Sequence, residues 1–488
     1  MSLPELTRQD LQLLGTRGIT ADSARAQLEV LRSPPTPPPI LRACVLGDGI
    51  RRLPESDHAA LLELWRDAAE RGRIRKFVPA SGAATRMFTD LVTAEPDGEA
   101  TDAMRTFFEH RDDFAFAAEL LVVGGPEPSH LGLAQALLGT DGLDYGERPK
   151  ALIPFHTYPT GPRTAFAEHL VEAAGYVTSG GSTQVHFTVT PSHLAAFEEL
   201  LAALRGALEA RLGVGLEVDF STQDPASDTL CLGEDGAAFH TAGSELLLRP
   251  AGHGALLTNL QLLGGDIVVV KNIDNILPED RQPEVVRWKR LLIGALVQLE
   301  EVLGVIERRL ASGSLGPDAA AAELGALLDL EPPAAEPGAW VADRLRRPLR
   351  VCGMVRNEGE PGGGPFWIAD AQGLAKPQIV ESAQIDRSDP VQATAWDGAT
   401  HFNPVDLVCS LRDRASKPYD LARFIDPATA FVSRKEHEGR GLWALERPGL
   451  WNGAMAGWNT VFVEVPAATF APVKTVLDLL RPEHLPAP

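Results

Sequence analysis

The feature that most limits the fold of this chain is an uninterrupted apolar run at residues 267–270, Ile-Val-Val-Val, between Asp266 and Lys271. A strand of this composition is apolar on both faces, which is typical of a parallel sheet covered by helices. From residue 149 onward, strand-like segments alternate with helix-like segments, for example at 185–190 and 192–212. We therefore predict a doubly wound, Rossmann-like α/β fold in three layers.

Proline-rich stretches and changes of pattern divide the chain into three parts. Residues 1–72 are predicted to form an N-terminal helical region that contains the proline-rich stretch 34–39. Residues 73–335 are predicted to form the central domain, with a helical insertion at about 90–148. A stretch rich in proline and alanine ends that domain, and residues 336–488 are predicted to form a C-terminal portion that completes the structure.

The composition is that of an ordinary globular protein, with 44% hydrophobic and 23% charged residues. The formal net charge of -21 argues against a general surface for nucleic acid or anionic membrane, because such partners require an excess of Lys and Arg. The cysteines are scattered without metal-site spacing, and we expect buried free thiols in a reducing cytoplasm. The four cysteines are Cys44, Cys231, Cys352 and Cys409.

The segment 76–88 combines a strand-like start with a turn of small residues. Such a turn lets backbone N–H groups approach a polyphosphate, and an arginine at its end can bind a phosphate through two hydrogen bonds. A purely structural turn is the alternative for this segment taken alone. The candidate phosphate contacts are Ser81, Gly82, Ala83, Thr85 and Arg86.

Asp274 follows the apolar run 267–270 in the sequence Asn-Ile-Asp-Asn. The end of a buried strand is where α/β folds place reactive groups, and a carboxylate is a suitable ligand for Mg²⁺ held together with substrate phosphates. An Asx turn is the structural alternative. The buried strand and the glycine-containing segment 249–257 favour the metal-binding interpretation.

Several further polar residues are candidates on residue type alone. Arg163 precedes a predicted helix and is a candidate phosphate contact, while Asn403 and Asn452 are candidate partners for sugar hydroxyls. Trp451 and Trp458 could stack on a sugar or a base, with packing in the core as the alternative.

Seven segments, in order, resemble motifs of sugar nucleotidyltransferases, and most closely those of UDP-sugar pyrophosphorylases. The matching segments are 79–88, 149–155, 221–225, 249–257, 267–277, 377–385 and 470–474. The chain also resembles an uncharacterised bacterial domain family of the nucleotide-diphospho-sugar transferase superfamily. Pro-Ala-Ser-Gly-Ala-Ala-Thr-Arg-Met-Phe and Gly-Glu-Pro-Gly-Gly-Gly-Pro-Phe-Trp carry that second resemblance.

The resemblance implies a GT-A-type nucleotidyltransferase fold in a cytoplasmic bacterial enzyme. Such an enzyme forms a nucleoside-diphosphate sugar from a nucleoside triphosphate, UTP in these families, and a sugar-1-phosphate. It releases pyrophosphate and uses Mg²⁺. The central domain would bind the nucleotide, and the C-terminal portion would bind the sugar phosphate.

The resemblance also implies roles for individual residues. Lys150 and Lys474 would contact phosphates and act with Arg86 in catalysis, and Glu381 would contact the sugar. Gln223 would read the base through its amide, and Gly252 and Gly254 would let the backbone pass close to the nucleotide.

Two departures from the family pattern keep other functions open. Ser81 and Ala84 replace glycines of the usual loop, and a Cβ at Ala84 is expected to crowd a phosphate. A protein that binds nucleotide or sugar nucleotide without catalysis is therefore one alternative. A glycosyltransferase is another, although Asn272 and Asp274 supply only one carboxylate of the Asp-x-Asp pair that this class requires. The sequence does not indicate the base, the sugar or the oligomeric state.

Overall fold

The computed structural model describes residues 6–82, 84–92, 101–125, 129–359, 362–370 and 372–486. Helices and strands alternate along this part of the chain, which confirms the predicted α/β class. The helices are α1 (Arg8–Thr16), α2 (Ala21–Arg32), α3 (Glu55–Glu70), α4 (Thr89–Val92), α5 (Asp102–Glu109), α6 (Ala117–Gly124), α7 (His130–Leu138), α8 (Ala165–Ala174), α9 (Leu194–Leu212), α10 (Leu257–Leu262), α11 (Gln282–Ala311), α12 (Pro317–Leu328), α13 (Pro337–Arg344) and α14 (Pro390–Asp397). The strands are β1 (Ile40–Ala43), β2 (Val45–Leu46), β3 (Gly49–Arg51), β4 (Ile74–Pro79), β5 (Pro154–Tyr158), β6 (Gly161–Thr164), β7 (Ser182–Val189), β8 (Gly215–Thr222), β9 (Thr229–Gly233), β10 (Leu248–Arg249), β11 (Ile267–Lys271), β12 (Leu349–Arg356), β13 (Gly364–Ala369), β14 (Ala375–Val380), β15 (His401–Ser410), β16 (Phe431–His437), β17 (Arg440–Glu446) and β18 (Asn459–Glu464).

The chain forms two compact units, and each is assembled from stretches that are far apart in sequence. Unit 1 contains residues 1–55, 222–267 and 295–464, and unit 2 contains residues 56–221, 268–294 and 465–488. The three-part division predicted at residues 72 and 335 stays a prediction.

Unit 1 contains a mixed sheet with the strand order β2-β3-β18-β12-β15. Strand β12 is parallel to β18 and antiparallel to β15, so both kinds of ladder occur in this sheet. Two smaller sheets, β1-β13-β14 and β10-β9-β17-β16, complete the strands of the unit. Helices α1 and α2 pack on the second of these through an apolar cluster that includes Leu14, Leu28, Leu230 and Leu445.

Unit 2 contains the strand order β11-β4-β7-β8, in which β4 and β7 are parallel. Every residue of β11 is buried, as the apolar run predicts for a strand covered on both faces. Helix α8 is buried along nearly its whole length. The carboxyl ends of β4 and β11 lead into the loops that carry the predicted phosphate and metal residues.

The predicted elements agree well with the observed ones where the hydrophobic period is clear. The helix predicted at 192–212 spans Leu194–Leu212, and the strand predicted at 185–190 spans Ser182–Val189. The N-terminal region predicted as helical also contains β1, β2 and β3, whose two to four residues are too short to show a period. All four cysteines are free and buried, as predicted. Among the described helices, none is both long and apolar enough to cross a bilayer.

Candidate functional site

Small residues form the loop that follows β4. Ser81 is half-buried and Gly82 is exposed, while Ala83 lies outside the described residues. A Cβ added at Gly82 would meet no atom within 4 Å, so packing does not require a glycine there. Ala84 begins a 3₁₀ turn, Ala84–Phe88, and is completely buried. A ligand on the exposed face of this loop therefore does not meet the Ala84 methyl group.

Hydrogen bonds join this loop to the segment that carries Lys150. The Ala84 N–H donates to the Arg148 carbonyl at 2.9 Å, and the Thr85 hydroxyl donates to the Gly146 carbonyl at 2.8 Å. The Lys150 N–H donates to the Gly82 carbonyl at 3.2 Å. Two motifs that are about 60 residues apart in sequence are thus held side by side.

Two lysines converge on the carboxylate of Asp274, just beyond the end of β11. Lys474 Nζ lies 2.9 Å from Asp274 Oδ2, and Lys150 Nζ lies 3.5 Å from the same oxygen. Lys150 Nζ also donates to the Val473 carbonyl at 2.8 Å, and the Val473 N–H donates to the Asp274 carbonyl at 3.0 Å. The other carboxylate oxygen, Asp274 Oδ1, is buried and has no hydrogen-bond partner among the described residues.

The two lysines differ in their exposure to solvent. The side chain of Lys150 is 13% exposed and that of Lys474 is 53% exposed. Burial lowers the pKa of Lys150, an effect that the nearby Asp274 opposes. Burial alone would raise the pKa of Asp274, but the two ammonium groups lower it overall and keep the carboxylate ionised. The site is therefore a pair of cations around one anion, and Lys474 is the more exposed of the two lysines.

Asp478 fixes the backbone that carries Lys474. Its Oδ2 accepts the N–H groups of Lys474 at 2.8 Å and of Thr475 at 2.7 Å. Thr475 and Asp478 form a capping box at the start of a 3₁₀ turn. Asp478 was not predicted, although the Thr-x-x-Asp spacing is a signal that could have identified it.

The two predicted arginines have different surroundings. Arg86 is exposed, and its side chain forms no hydrogen bond or ion pair with a described residue. Arg163 lies over the Tyr158 ring, with its Nη1 3.1 Å from Glu168 and 2.9 Å from Glu279. Arg163 is therefore already neutralised by two carboxylates, and its predicted contact with substrate stays a prediction.

A buried charge cluster beneath this site was not predicted. Glu172 Oε1 accepts from Lys76 Nζ at 3.0 Å and from the Tyr176 hydroxyl at 3.0 Å, while Lys271 pairs with Oε2. His169, one turn earlier on α8, hydrogen bonds through Nε2 to the Ile273 carbonyl at 3.1 Å, next to Asp274. The residue types gave no signal, because each lies alone in an otherwise ordinary strand or helix.

The remaining predicted residues lie in unit 1. Gly252 has a φ of +77°, which favours glycine, and a Cβ there would lie 3.2 Å from Glu446. At Gly254 a Cβ would lie 2.0 Å from the Pro448 carbonyl oxygen, so close backbone packing already requires this glycine. The segment 249–257 is thereby brought against the segment that contains Trp451 and Asn452.

Glu381 belongs to the same group of contacts. Trp451 Nε1 donates to Glu381 Oε1 at 3.1 Å, and the Trp451 ring stacks on His253 with centroids 3.9 Å apart. Burial lowers the pKa of His253 to about 4, so this ring is neutral at pH 7. Asn452 is buried, and its Oδ1 has no hydrogen-bond partner among the described residues. Three of the predicted segments therefore meet in unit 1.

Gln223, Asn403 and Trp458 have local roles. Gln223 Nε2 donates to the Ser227 hydroxyl at 2.9 Å, and Asn403 Oδ1 accepts the Val405 N–H at 3.1 Å. Trp458 is 3% exposed and packs in the core, as Trp451 does at 8% exposure. The two tryptophans thus match the packing alternative more closely than stacking on a ligand.

The fold and the site define an α/β protein in which two lysines flank one carboxylate at the end of a buried strand. The chain belongs to the DUF4301 family, a domain of unknown function, whose family model matches residues 7–485. The predicted membership of an uncharacterised domain family is thus confirmed. No curated protein matches the chain.

Solved structures similar to the chain include UDP-sugar pyrophosphorylases. The UDP-glucose pyrophosphorylase from Leishmania major is 13% identical, with a TM-score of 0.47, covering 98% of this chain and 79% of that one. The UDP-N-acetylglucosamine pyrophosphorylase from Trypanosoma brucei is 14% identical, with a TM-score of 0.42 and coverages of 94% and 74%. A putative UDP-N-acetylglucosamine pyrophosphorylase from Entamoeba histolytica is 11% identical, with a TM-score of 0.44 and coverages of 88% and 84%. Similarity of this size assigns no reaction, substrate or residue role to the chain.

Proposed function

We propose that the protein is a nucleotidyltransferase that forms a nucleoside-diphosphate sugar from a nucleoside triphosphate, UTP by resemblance, and a sugar-1-phosphate. The observation that carries the proposal is the convergence in unit 2 of the small-residue loop, Lys150, Asp274 and Lys474. These residues come from four separate stretches of the chain. If the ion pairs of Asp274 had only a structural role, they would not need an exposed loop of small residues beside them.

The reaction is an in-line substitution at phosphorus. An oxygen of the sugar-1-phosphate forms a bond to the α-phosphorus, the bond to the bridging oxygen of the β-phosphate breaks, and pyrophosphate leaves with the electron pair. No protein nucleophile is needed, because catalysis consists of positioning and charge neutralisation. Lys150 and Lys474 supply fixed positive charge, and Arg86 is an exposed cation at the end of the loop.

The residues present fit one mode of Mg²⁺ binding. The described residues contain no group of three or more His, Cys, Asp or Glu side chains that could hold a metal ion. Asp274 nevertheless offers a buried oxygen, Oδ1, without a partner among those residues. Mg²⁺ in phosphate-transferring sites is held by one or two carboxylates together with substrate phosphates. When bound in this way, it would neutralise charge on the triphosphate.

In unit 1, Gln223, Gly252 and Gly254 are proposed to bind the nucleotide, and Glu381, Asn403 and Asn452 to bind the sugar phosphate. Asn452 has the strongest support of these six, since its buried Oδ1 lacks a partner among the described residues. Arg163 is proposed as a peripheral substrate contact.

The test measures pyrophosphate released by the purified protein with each nucleoside triphosphate, a panel of sugar-1-phosphates and Mg²⁺. We expect release to require both substrates and to fall about 100-fold in Asp274→Asn and in Lys150→Gln, the magnitude typical for losing one fixed charge-stabilising group. Lys417→Gln, at an exposed lysine, is the matched control and should keep full activity. Melting curves of all variants report whether the fold is intact.

A nucleotide-binding protein without catalysis is the second candidate, because Asp274 is already paired with both lysines. Binding of a nucleoside triphosphate, seen as a raised melting temperature without pyrophosphate release, would identify this candidate. Release of nucleoside diphosphate from a sugar nucleotide would instead identify a glycosyltransferase. Absence of both binding and release would refute the nucleotide assignment.

A further inference from the structure

The C-terminal segment 470–486 buries the apolar residues Val473, Val476 and Leu479, and polar contacts hold it at two places. The first place is the candidate site, where Ala471 N donates to Asn275 Oδ1 at 3.2 Å and Lys474 pairs with Asp274. The second is His484, ten residues further on, which is 2% exposed. The proposed reaction uses neither His484 nor its partner His156.

A chain of hydrogen bonds links His484 to a buried carboxylate. His156 Nδ1 lies 3.0 Å from Glu168 Oε1, and His156 Nε2 lies 2.9 Å from His484 Nδ1. Glu168 accepts from His156 Nδ1, and one proton lies between the facing nitrogens His156 Nε2 and His484 Nδ1. The two rings are nearly parallel, at 13°.

We propose that His484 is a positioning residue, and that its hydrogen bond to His156 docks the C-terminal segment and so holds Lys474 beside Asp274. A charged His484 ring would be buried close to Arg481 and Arg281, so protonation of His484 opposes docking. The contact is a latch that weakens in acid. It does not depend on the reaction proposed above.

The charged groups around the latch set the direction of this response. Glu168 on α8 also binds the Tyr158 hydroxyl of β5 at 2.6 Å and Arg163 of β6 at 3.1 Å, while Arg481 and Arg281 face His484. Burial, then His156 and the two arginines, lower the pKa of His484 to about 3, against an ordinary value of 6.5. The pKa of His484 is lower when the segment is docked than when it is free. Docking is therefore complete above the free pKa of His484, and protonation of His484 opposes it below that value. The docking equilibrium constant should therefore fall about tenfold for each pH unit below 6.5, until about pH 3.

The test is amide hydrogen exchange of the full chain at about pH 7.5 and 5.5, corrected for the intrinsic pH dependence. The reporters are the N–H groups of Ala471 and Val473. We expect the opening constant of this segment to rise about tenfold at the lower pH, with no change in α9. His484→Gln, which can donate a hydrogen bond but does not titrate, should keep docking at pH 7.5 and lose the pH response. His437→Gln, in unit 1, should behave like the unmodified protein.

His484→Ala should open the segment at both pH values. It should also raise the rate at which acetic anhydride labels Lys474, relative to Lys417, because the ammonium group is no longer held by Asp274. If the opening constant of segment 470–486 does not change with pH in the unmodified protein, the latch is overturned. Release of the segment without faster labelling of Lys474 would overturn the positioning role. If His484→Ala does not fold, the pH series and His484→Gln still decide the question.

Discussion

At the scale of single residues, the placement of lysine is informative. The chain has 45 basic residues, and only eight of them are lysines. Five of these eight lie in unit 2 around Glu172 or Asp274: Lys76, Lys150, Lys271, Lys289 and Lys474. An ammonium group is compact and can lose its proton when it is buried, whereas a guanidinium cannot. Lysine, and not arginine, therefore occurs where several positive charges surround one carboxylate.

Loss of the Glu172 carboxylate should destabilise the protein strongly, because it pairs with two buried lysines. Glu172→Gln leaves the buried ammonium groups of Lys76 and Lys271 without their carboxylate, and we expect a loss of about 3–5 kcal/mol in the free energy of unfolding. Chemical denaturation followed by circular dichroism measures this loss. The control is Glu323→Gln, since Glu323 is 40% exposed and its ion pair with Arg309 should contribute less than about 1 kcal/mol. Equal losses in the two variants would contradict this interpretation of the cluster.

At the scale of elements, the crossing of α3 and α11 depends on one glycine. A Cβ at Gly294, in the middle of α11, would lie 2.0 Å from the carbonyl oxygen of Leu61 in α3. Only a residue without a side chain lets the two backbones approach this closely. The crossing positions the first part of α11, which carries Lys289 of the buried cluster.

Gly294→Ala should destabilise the protein by about 1–3 kcal/mol, because the two helices must separate or distort. Gly206→Ala is the matched control, since Gly206 also lies within a helix and a Cβ there would meet no atom within 4 Å. This control should be neutral or stabilising by up to about 1 kcal/mol, because alanine favours helix more than glycine does. Denaturant titrations of both variants give the comparison. A loss of stability at Gly206 as large as at Gly294 would point to the helix itself and not to the crossing.

At the scale of the whole molecule, the buried lysines should make stability depend on pH in the alkaline range. Burial lowers the pKa of Lys76 to about 8 from an ordinary value of 10.5, and burial lowers the pKa of Lys289 as well. The folded state therefore binds fewer protons than the unfolded state between these values. The contribution of neutral Lys76 to the free energy of unfolding is complete above about pH 10.5 and is lost as the pH falls toward 8.

We expect the melting temperature to rise between about pH 8 and pH 10. Above that range, ionisation of tyrosines in the unfolded chain opposes the rise, because Tyr176 has a raised pKa in its buried site. In Lys76→Met the rise should be smaller, since one titrating group is gone. Scanning calorimetry across this range measures the effect. A melting temperature that does not change with pH in the unmodified protein would show that the lysines keep ordinary pKa values.

The sequence determined those features that depend on local pattern. The apolar run at 267–270 and the alternation of strands and helices were sufficient to predict the α/β class. The reason is that the hydrophobic period of a helix differs from that of a strand. The small-residue loop, Lys150, Asp274 and Lys474 could also be nominated, because each lies in a short segment with a recognisable order of residue types, and their roles stay predictions.

Only the tertiary structure decided which of these segments meet. It brought residues 82, 150, 274 and 474 together in unit 2, and it gave Arg163 to two carboxylates instead. It also revealed the Glu172 cluster and the His156–His484 contact, whose partners are separated by up to 328 residues. The physical reason is that hydrogen bonds and ion pairs of buried groups depend on distances in space. Such distances follow from the packing of strands and helices, and no pattern within a short segment of sequence encodes them.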